Sequence, residues 1–136
     1  MITGYSGTPL AKKMGIKPGF CIRLVNAPQN YAELFTDLPE GIIFSGDTEI
    51  KKDMIHYFAH HLQELNQDLS SLRQEIKENG MIWVSWHKKS SGIVTDVTEN
   101  IIRELALTNG LVDVKVCAVS ETWSGLKLVI RLQDRK

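Results

Sequence analysis

Two alternating apolar runs near the end of the chain, Val112 to Val119 and Leu126 to Leu132, are separated only by Ser120-Glu-Thr-Trp-Ser-Gly125. A parallel crossover needs about a dozen residues or more, so these two strands must pair antiparallel, as a hairpin. Upstream, strand-like and helix-like segments alternate, which is the signature of parallel crossovers. The fold expected of a chain that does both is a three-layer α/β Rossmann-like sandwich, with a mainly parallel sheet ending in an antiparallel hairpin.

The segments can be placed from their punctuation. Pro9 to Met14 reads as a short helix that Gly15 can end in the left-handed conformation, and Lys17-Pro18-Gly19 as a turn. Phe20 to Val25 is the first strand. Asn26-Ala27-Pro28 ends it and opens a helix through Asp37, with Pro28 in the first turn, where its missing N–H costs nothing. Ile42 to Phe44 and Asp53 to Phe58 are the second and third strands. Leu62, Leu65, Leu69, Leu72 and Ile76 then mark one face of an amphipathic helix that Asn79-Gly80 should stop. Met81 to Trp86 is the fourth strand, followed by a polar loop and a helix with Asp96 as N-cap and Glu99 completing a capping box. Asn109-Gly110 ends that helix. The punctuation is even and shows no repeat or linker, so the expectation is a single domain over residues 1–136, with 1–18 as a lead-in helix and turn and 19–136 as the core.

Charge narrows the function. Lys+Arg and Asp+Glu number 16 each, so the chain has no global basic footprint and any anion site must be local. Leu10-Ala-Lys-Lys-Met-Gly-Ile looks like the first helix and turn of a helix-turn-helix reader, but a strand from Phe20 leaves no room for a recognition helix. Nucleic acid is therefore not the expected partner. Cys21 and Cys117 sit in β-rich runs, where a free thiol acts as a small hydrophobe, and they suggest no disulfide framework. With no long apolar span and no basic-then-apolar start, the expected address is the cytoplasm, without a membrane.

Several motifs together carry a resemblance: Gly4-Tyr-Ser-Gly-Thr-Pro-Leu-Ala-Lys-Lys-Met-Gly-Ile-Lys-Pro-Gly, Ile82-Trp-Val-Ser-Trp-His-Lys-Lys, Gly110-Leu-Val-Asp-Val-Lys-Val and Trp123-Ser-Gly-Leu-Lys. Over nearly its whole length the chain resembles a bacterial family known only as a domain of unknown function, in which Pro stands more often at the position of His87. The resemblance implies membership and a bacterial source, and no reaction. More distantly, residues 53 to 132 are similar in layout to the C-terminal half of Rossmann-like methyltransferases. That similarity implies S-adenosylmethionine held by a glycine-rich loop after the first strand and an acidic residue closing the second. Here the first strand runs into Asn26-Ala-Pro-Gln-Asn-Tyr31, which has no glycine to admit a nucleotide backbone, and only Asp47 answers the second requirement. No cofactor is expected.

In an open α/β sheet the ligand crevice lies at the carboxyl ends of the parallel strands, so the loops starting at Asn26, Ser45, Ala59 and His87 are the ones to inspect. The richest is His87-Lys-Lys-Ser-Ser-Gly, where Lys88, Lys89 and Ser90 lead towards a helix N-terminus and offer a local anion site. Asn26 would supply a further polar contact. Trp123, in the hairpin connection, is either a contact at the partner surface or a lid folded over Leu126. His56, His60 and His61 could hold zinc only on a helix, and the strand reading removes that spacing, so no metal site is expected. Nucleophilic catalysis has no identifiable base beside any candidate serine. The expected function is non-catalytic binding of a small anionic ligand or a protein partner at the strand ends, compatible with a homodimer. The alternative is a small-substrate enzyme of degenerate methyltransferase-like fold.

Overall fold

A computed structural model describes residues 8–135; the glycine-rich opening, with its part of the family motif, lies outside the described residues. In chain order the elements are α1 (Leu10–Met14), β1 (Cys21–Val25), a 3-10 turn (Tyr31–Leu34), β2 (Ile43–Phe44), β3 (Lys52–Phe58) and α2 (Leu62–Glu75). They continue with β4 (Ile76–His87), a 3-10 turn (Lys89–Ser91), α3 (Glu99–Thr108), β5 (Leu111–Ala118), β6 (Trp123–Ile130) and a last 3-10 turn (Leu132–Asp134). The six strands form one sheet in the order β2-β1-β3-β4-β6-β5. β1 to β4 are parallel, and β6 runs antiparallel to both β4 and β5. This is the α/β Rossmann-like arrangement, mainly parallel with an antiparallel end.

Alternation along the strands divides the core in two. Ile55, Tyr57, Ile82 and Val84 pack on one face with Leu65, Leu69 and Leu72 of α2 and Ile102 of α3. Met54, Phe58, Trp83 and Trp123 pack on the other with Ala11 and Met14 of α1 and with Tyr31 and Phe35. The two faces are covered differently: long amphipathic helices lie on the first, short elements on the second.

Four local expectations are corrected. Residues 27–37 form a single 3-10 turn and not a helix, because Phe35 is already extended (φ −115°, ψ 142°) and the Asp37 carboxylate is drawn away to accept the N–H groups of Ala11 and Lys12 at 3.0 and 3.1 Å. Those two amides belong to the first turn of α1, whose N-cap, Pro9, has no side chain able to cap it. Asn79-Gly80 does not stop α2; the helix ends at Glu75 and β4 runs through both residues. A Cβ on Gly80 would stand 3.0 Å from the carbonyl oxygens of Lys52 and Lys77, so this glycine serves a close approach of backbones where β3 and β4 shift register. Asp96 does not cap α3. Its Oδ1 accepts the Leu62 N–H at the start of α2, 2.9 Å away, and Thr98 caps α3 by accepting the Ile101 N–H. Finally, Trp123 is the first residue of β6 and not part of an exposed connection: it is only 8% exposed. It lies on the face opposite Leu126, so it is buried without covering that residue.

Candidate functional site

β1 lies between β2 and β3, and the chain crosses from one side of β1 to the other after β2. The topological switch point is therefore between β1 and β3, and a ligand crevice is expected outside their carboxyl ends. Asn26, directly after β1, is the one described non-glycine residue with positive φ, 57°, and is exposed. Its side-chain amide reaches the carbonyl of Phe58, the last residue of β3, at 3.5 Å. Next along the rim come His60 after β3, His87 at the end of β4 and Trp123 opposite His87 in the β4–β6 ladder.

These three rings form one cluster. His87 stacks on the Trp123 indole (centroids 4.0 Å apart, planes at 28°), while His60 meets both at an angle, 5.6 Å from His87 and 5.5 Å from Trp123. Phe58 closes the cluster from below, edge-on to Trp123 at 4.9 Å. The Nδ1 of His87 is buried and has no hydrogen-bond partner among the described residues. Partial burial, with the neighbouring His60 adding to it, lowers the pKa of His87, so near neutral pH the ring is neutral. An unsatisfied polar atom of this kind calls for a partner.

Beneath the rim, the polar atoms are fully paired. Tyr31 Oη and His56 Nδ1 are 2.9 Å apart, and His56 Nε2 lies 2.8 Å from Ser85 Oγ. Burial raises the pKa of Tyr31 and drives that of His56 down to about 3, so His56 is a neutral hydrogen-bonding link stacked on Phe58. At the amino ends of the strands Lys52, fully buried, pairs with Glu75 and the carbonyl of Asp47, and Arg23 pairs with the same carboxylate. Among the described residues two buried side-chain atoms lack a hydrogen-bond partner, His87 Nδ1 and Arg73 Nε near the end of α2, and of these His87 is the one at the carboxyl end of a strand.

The residues singled out in the sequence do not converge on a point. Lys89 lines an open groove of about 760 Å³ with His87, Gly92 and the first residues of α3. Lys88 lies close enough to Cys117, on the α1 side of the sheet, for its charge to favour the thiolate. Ser90 is exposed in the 3-10 turn, and among the described residues no hydrogen bond or ion pair joins Asn26 to the segment 88–90. Sequence reasoning missed His60, read there only as a zinc ligand, and left His87 as the start of a loop. The signal was available, since both follow strands with β alternation and fall on the same face as Trp123.

The cofactor cradle of the methyltransferase layout does not fit these residues. The left-handed Asn26 imitates the turn that a glycine would make, but Pro28 has no N–H to offer, and the next amides are engaged within the 3-10 segment: Tyr31 with Pro28, Glu33 with Asn30 and Phe35 with Ala32. No helix N-terminus follows β1 to receive an anionic group. After β2, Asp47 Oδ1 accepts the Glu49 N–H. No group of three or more metal-ligating side chains occurs among the described residues, and no described helix is long and apolar enough to cross a membrane.

A family model described as "Protein of unknown function (DUF3052)" matches residues 35–132. No curated protein matches the chain. Among solved structures the chain is similar to a candidate type 11 methyltransferase from Sulfolobus solfataricus (TM-score 0.65, 14% identity, 92% of this chain and 91% of that one). It is similar also to magnesium protoporphyrin IX methyltransferase from Synechocystis PCC 6803 with bound SAM (0.60, 11%, 90% and 74%). A third is an S-adenosylmethionine-dependent methyltransferase from Clostridium acetobutylicum ATCC 824 (0.58, 8%, 88% and 87%). At these identities the likeness concerns the fold.

Proposed function

The chain belongs to the family described as a protein of unknown function (DUF3052), and from that premise we propose that it binds a small anionic ligand, without catalysis, at the carboxyl ends of β1, β3 and β4. The observation that carries this reading is the buried, unpartnered Nδ1 of His87 beside His60 and Trp123, at the ends of β3 and β4 next to the switch point. A carboxylate or phosphate oxygen would accept from that imidazole, and its charge would favour the protonated form of His87. Lys89, which lines a groove together with His87, would supply the charge, with Lys88, Asn26 and Ser90 contributing from further along the rim and Trp123 as the stacking surface. Ile93 and Val94, 49% and 97% exposed in the loop beyond Lys89, favour a protein surface as the bearer of that anion if a partner is involved.

The test is a titration of the protein with inorganic phosphate and sulfate, followed by side-chain NMR of His60 and His87 and by calorimetry. The His87 imidazole should move towards the protonated form on binding. Lys88→Ala with Lys89→Ala should change stability by no more than about 0.5 kcal/mol while weakening the anion. Unchanged imidazole signals at saturating phosphate would sink the reading. A free imidazole nitrogen is also what a general base needs, and micromolar affinity for S-adenosylmethionine would put the degenerate-enzyme alternative first.

A further inference from the structure

A second feature shares only Lys88 with the surround of the His60–His87 cluster and does not rest on the reading above. Although the chain balances 16 cations with 16 anions, it gathers six lysines around one flank. Lys12, Lys13 and Lys115 line a groove of about 700 Å³ between α1 and the edge strand β5. Lys88 is within electrostatic reach of Cys117 in the groove wall, and Lys127 is within reach of Lys115 and Lys17.

The arrangement is costly for the fold alone. Lys115 and Lys127 stand directly opposite each other in the β5–β6 ladder, where like charges destabilise. Lys127 is held under the end of α1, its Nζ 3.5 Å from where a Cβ on Gly15 would lie, and burial together with Lys115 and Lys17 lowers its pKa. Asp37 is engaged with the α1 amides and Asp113 with Arg103, and among the described residues no ion pair includes Lys12, Lys17, Lys88, Lys115 or Lys127. Lys115 instead donates to the carbonyl of Lys13 at 2.7 Å, which ties β5 to α1 and sets the width of the groove.

We propose that this groove is a binding site for a small polyanion carrying linked phosphates. Every cation present is a lysine, a point charge suited to phosphate, whereas planar carboxylate recognition favours the arginine fork. Ser124 on the groove wall adds a neutral hydroxyl. The volume is that of a small-molecule site and is too small to seat a folded partner. Neutralising the opposed Lys115–Lys127 pair gives the ligand a gain that water does not supply.

Calorimetry of the full chain with inorganic tripolyphosphate, repeated with a nucleoside triphosphate, tests the site. Saturable binding is expected, with a rise in melting temperature, and Lys12→Gln with Lys115→Gln should weaken it by roughly tenfold or more. Lys115→Arg, which keeps the charge, should retain most of the affinity, and so should Lys89→Ala with His87→Ala, which alters only the crevice. Tighter binding of the nucleoside triphosphate than of tripolyphosphate would place the base in the groove as well; equal affinity would leave the phosphates as the whole determinant. Absence of saturable binding, or equal affinity in the doubly substituted chain once its circular dichroism matches wild type, overturns the proposal. So does a short single-stranded RNA that binds more tightly than either small ligand.

Discussion

The two faces of the sheet are built on different principles. Under α2 and α3 the core contacts are aliphatic, with Leu65, Leu69, Leu72 and Ile102 against Ile55, Ile82 and Val84, and the polar links lie at the margins: Tyr57 to Asp68, Lys52 and Arg23 to Glu75, and Arg103 to Asp113. Under α1 and the Tyr31–Leu34 turn the core is aromatic, and polar atoms thread through it: Tyr31, His56 and Ser85 in a chain, and Trp83 Nε1 donating to the carbonyl of Met14 at 3.0 Å. Where a long helix covers a sheet, apolar area dominates the contact and polar pairs stay at its margins. A five-residue helix brings too little area, and specific side-chain hydrogen bonds must fix its position. The same poorly covered face then carries the His60–His87–Trp123 rim and the lysine groove.

Truncation on each face sharpens that contrast most. Leu69→Ala and Trp123→Ala should each cost about 3 to 5 kcal/mol in urea denaturation, as large-to-small core changes do. Only Trp123→Ala should also weaken phosphate binding, since it removes the stacking surface of His87. Equal loss of phosphate affinity in Leu69→Ala would erase the distinction between the faces.

Acid should act on the aromatic face selectively. His56 has a pKa of about 3 in the fold against 6.5 for the free side chain, so below pH 6.5 the unfolded chain takes up a proton that the folded one refuses. Stability should therefore fall as the pH drops from 6.5 towards 3, by about 2 kcal/mol at pH 5. The groups facing His56 are Tyr31, Phe58 and Ser85, none of them charged at these pH values. Replacing the whole chain of partners (Tyr31→Phe, His56→Leu, Ser85→Ala) should flatten the curve between pH 6.5 and 5, and a wild-type curve already flat there contradicts the assignment.

The smallest effect expected comes from a single methyl group. A Cβ on Gly125 would lie 3.0 Å from Val119 Cγ2 and 3.1 Å from the Trp83 ring, so Gly125→Ala should cost about 1 to 2 kcal/mol by overpacking and shift the Trp83 fluorescence. Gly46→Ala, where nothing lies within 4 Å, is the control and should stay within about 0.5 kcal/mol.

The aliphatic face was also the legible one. The spacing of Leu62, Leu65, Leu69 and Leu72 is a local property, and it predicts both the helix and its buried side. Ile76 continued that spacing but belongs to β4, because helix and strand join without a connecting turn. The region 27–37 shows the opposite case. Tyr31, Leu34, Phe35 and Leu38 carry a helical spacing, but the segment is shaped by partners 25 and 26 residues away, His56 and the α1 amides. The candidate site divides in the same way: reasoning from strand ends pointed to the loops that carry Asn26, His60 and His87. Which of Lys88 and Lys89 faces which side, and that Trp123 is buried against two imidazoles, depends on the β4–β6 register, which no local pattern encodes.

That register has a consequence for how the protein is made. β6 is translated after β5 yet lies between β5 and β4. While the ribosome is still adding residues 111–122, β4 has one open edge, along Ile82, Trp83 and Val84, and β5 has no strand to join. Closure of the sheet must wait for Trp123–Ile130, and a nascent chain stalled after α3 exposes an apolar strand edge of the kind that chaperones engage and that other chains can join.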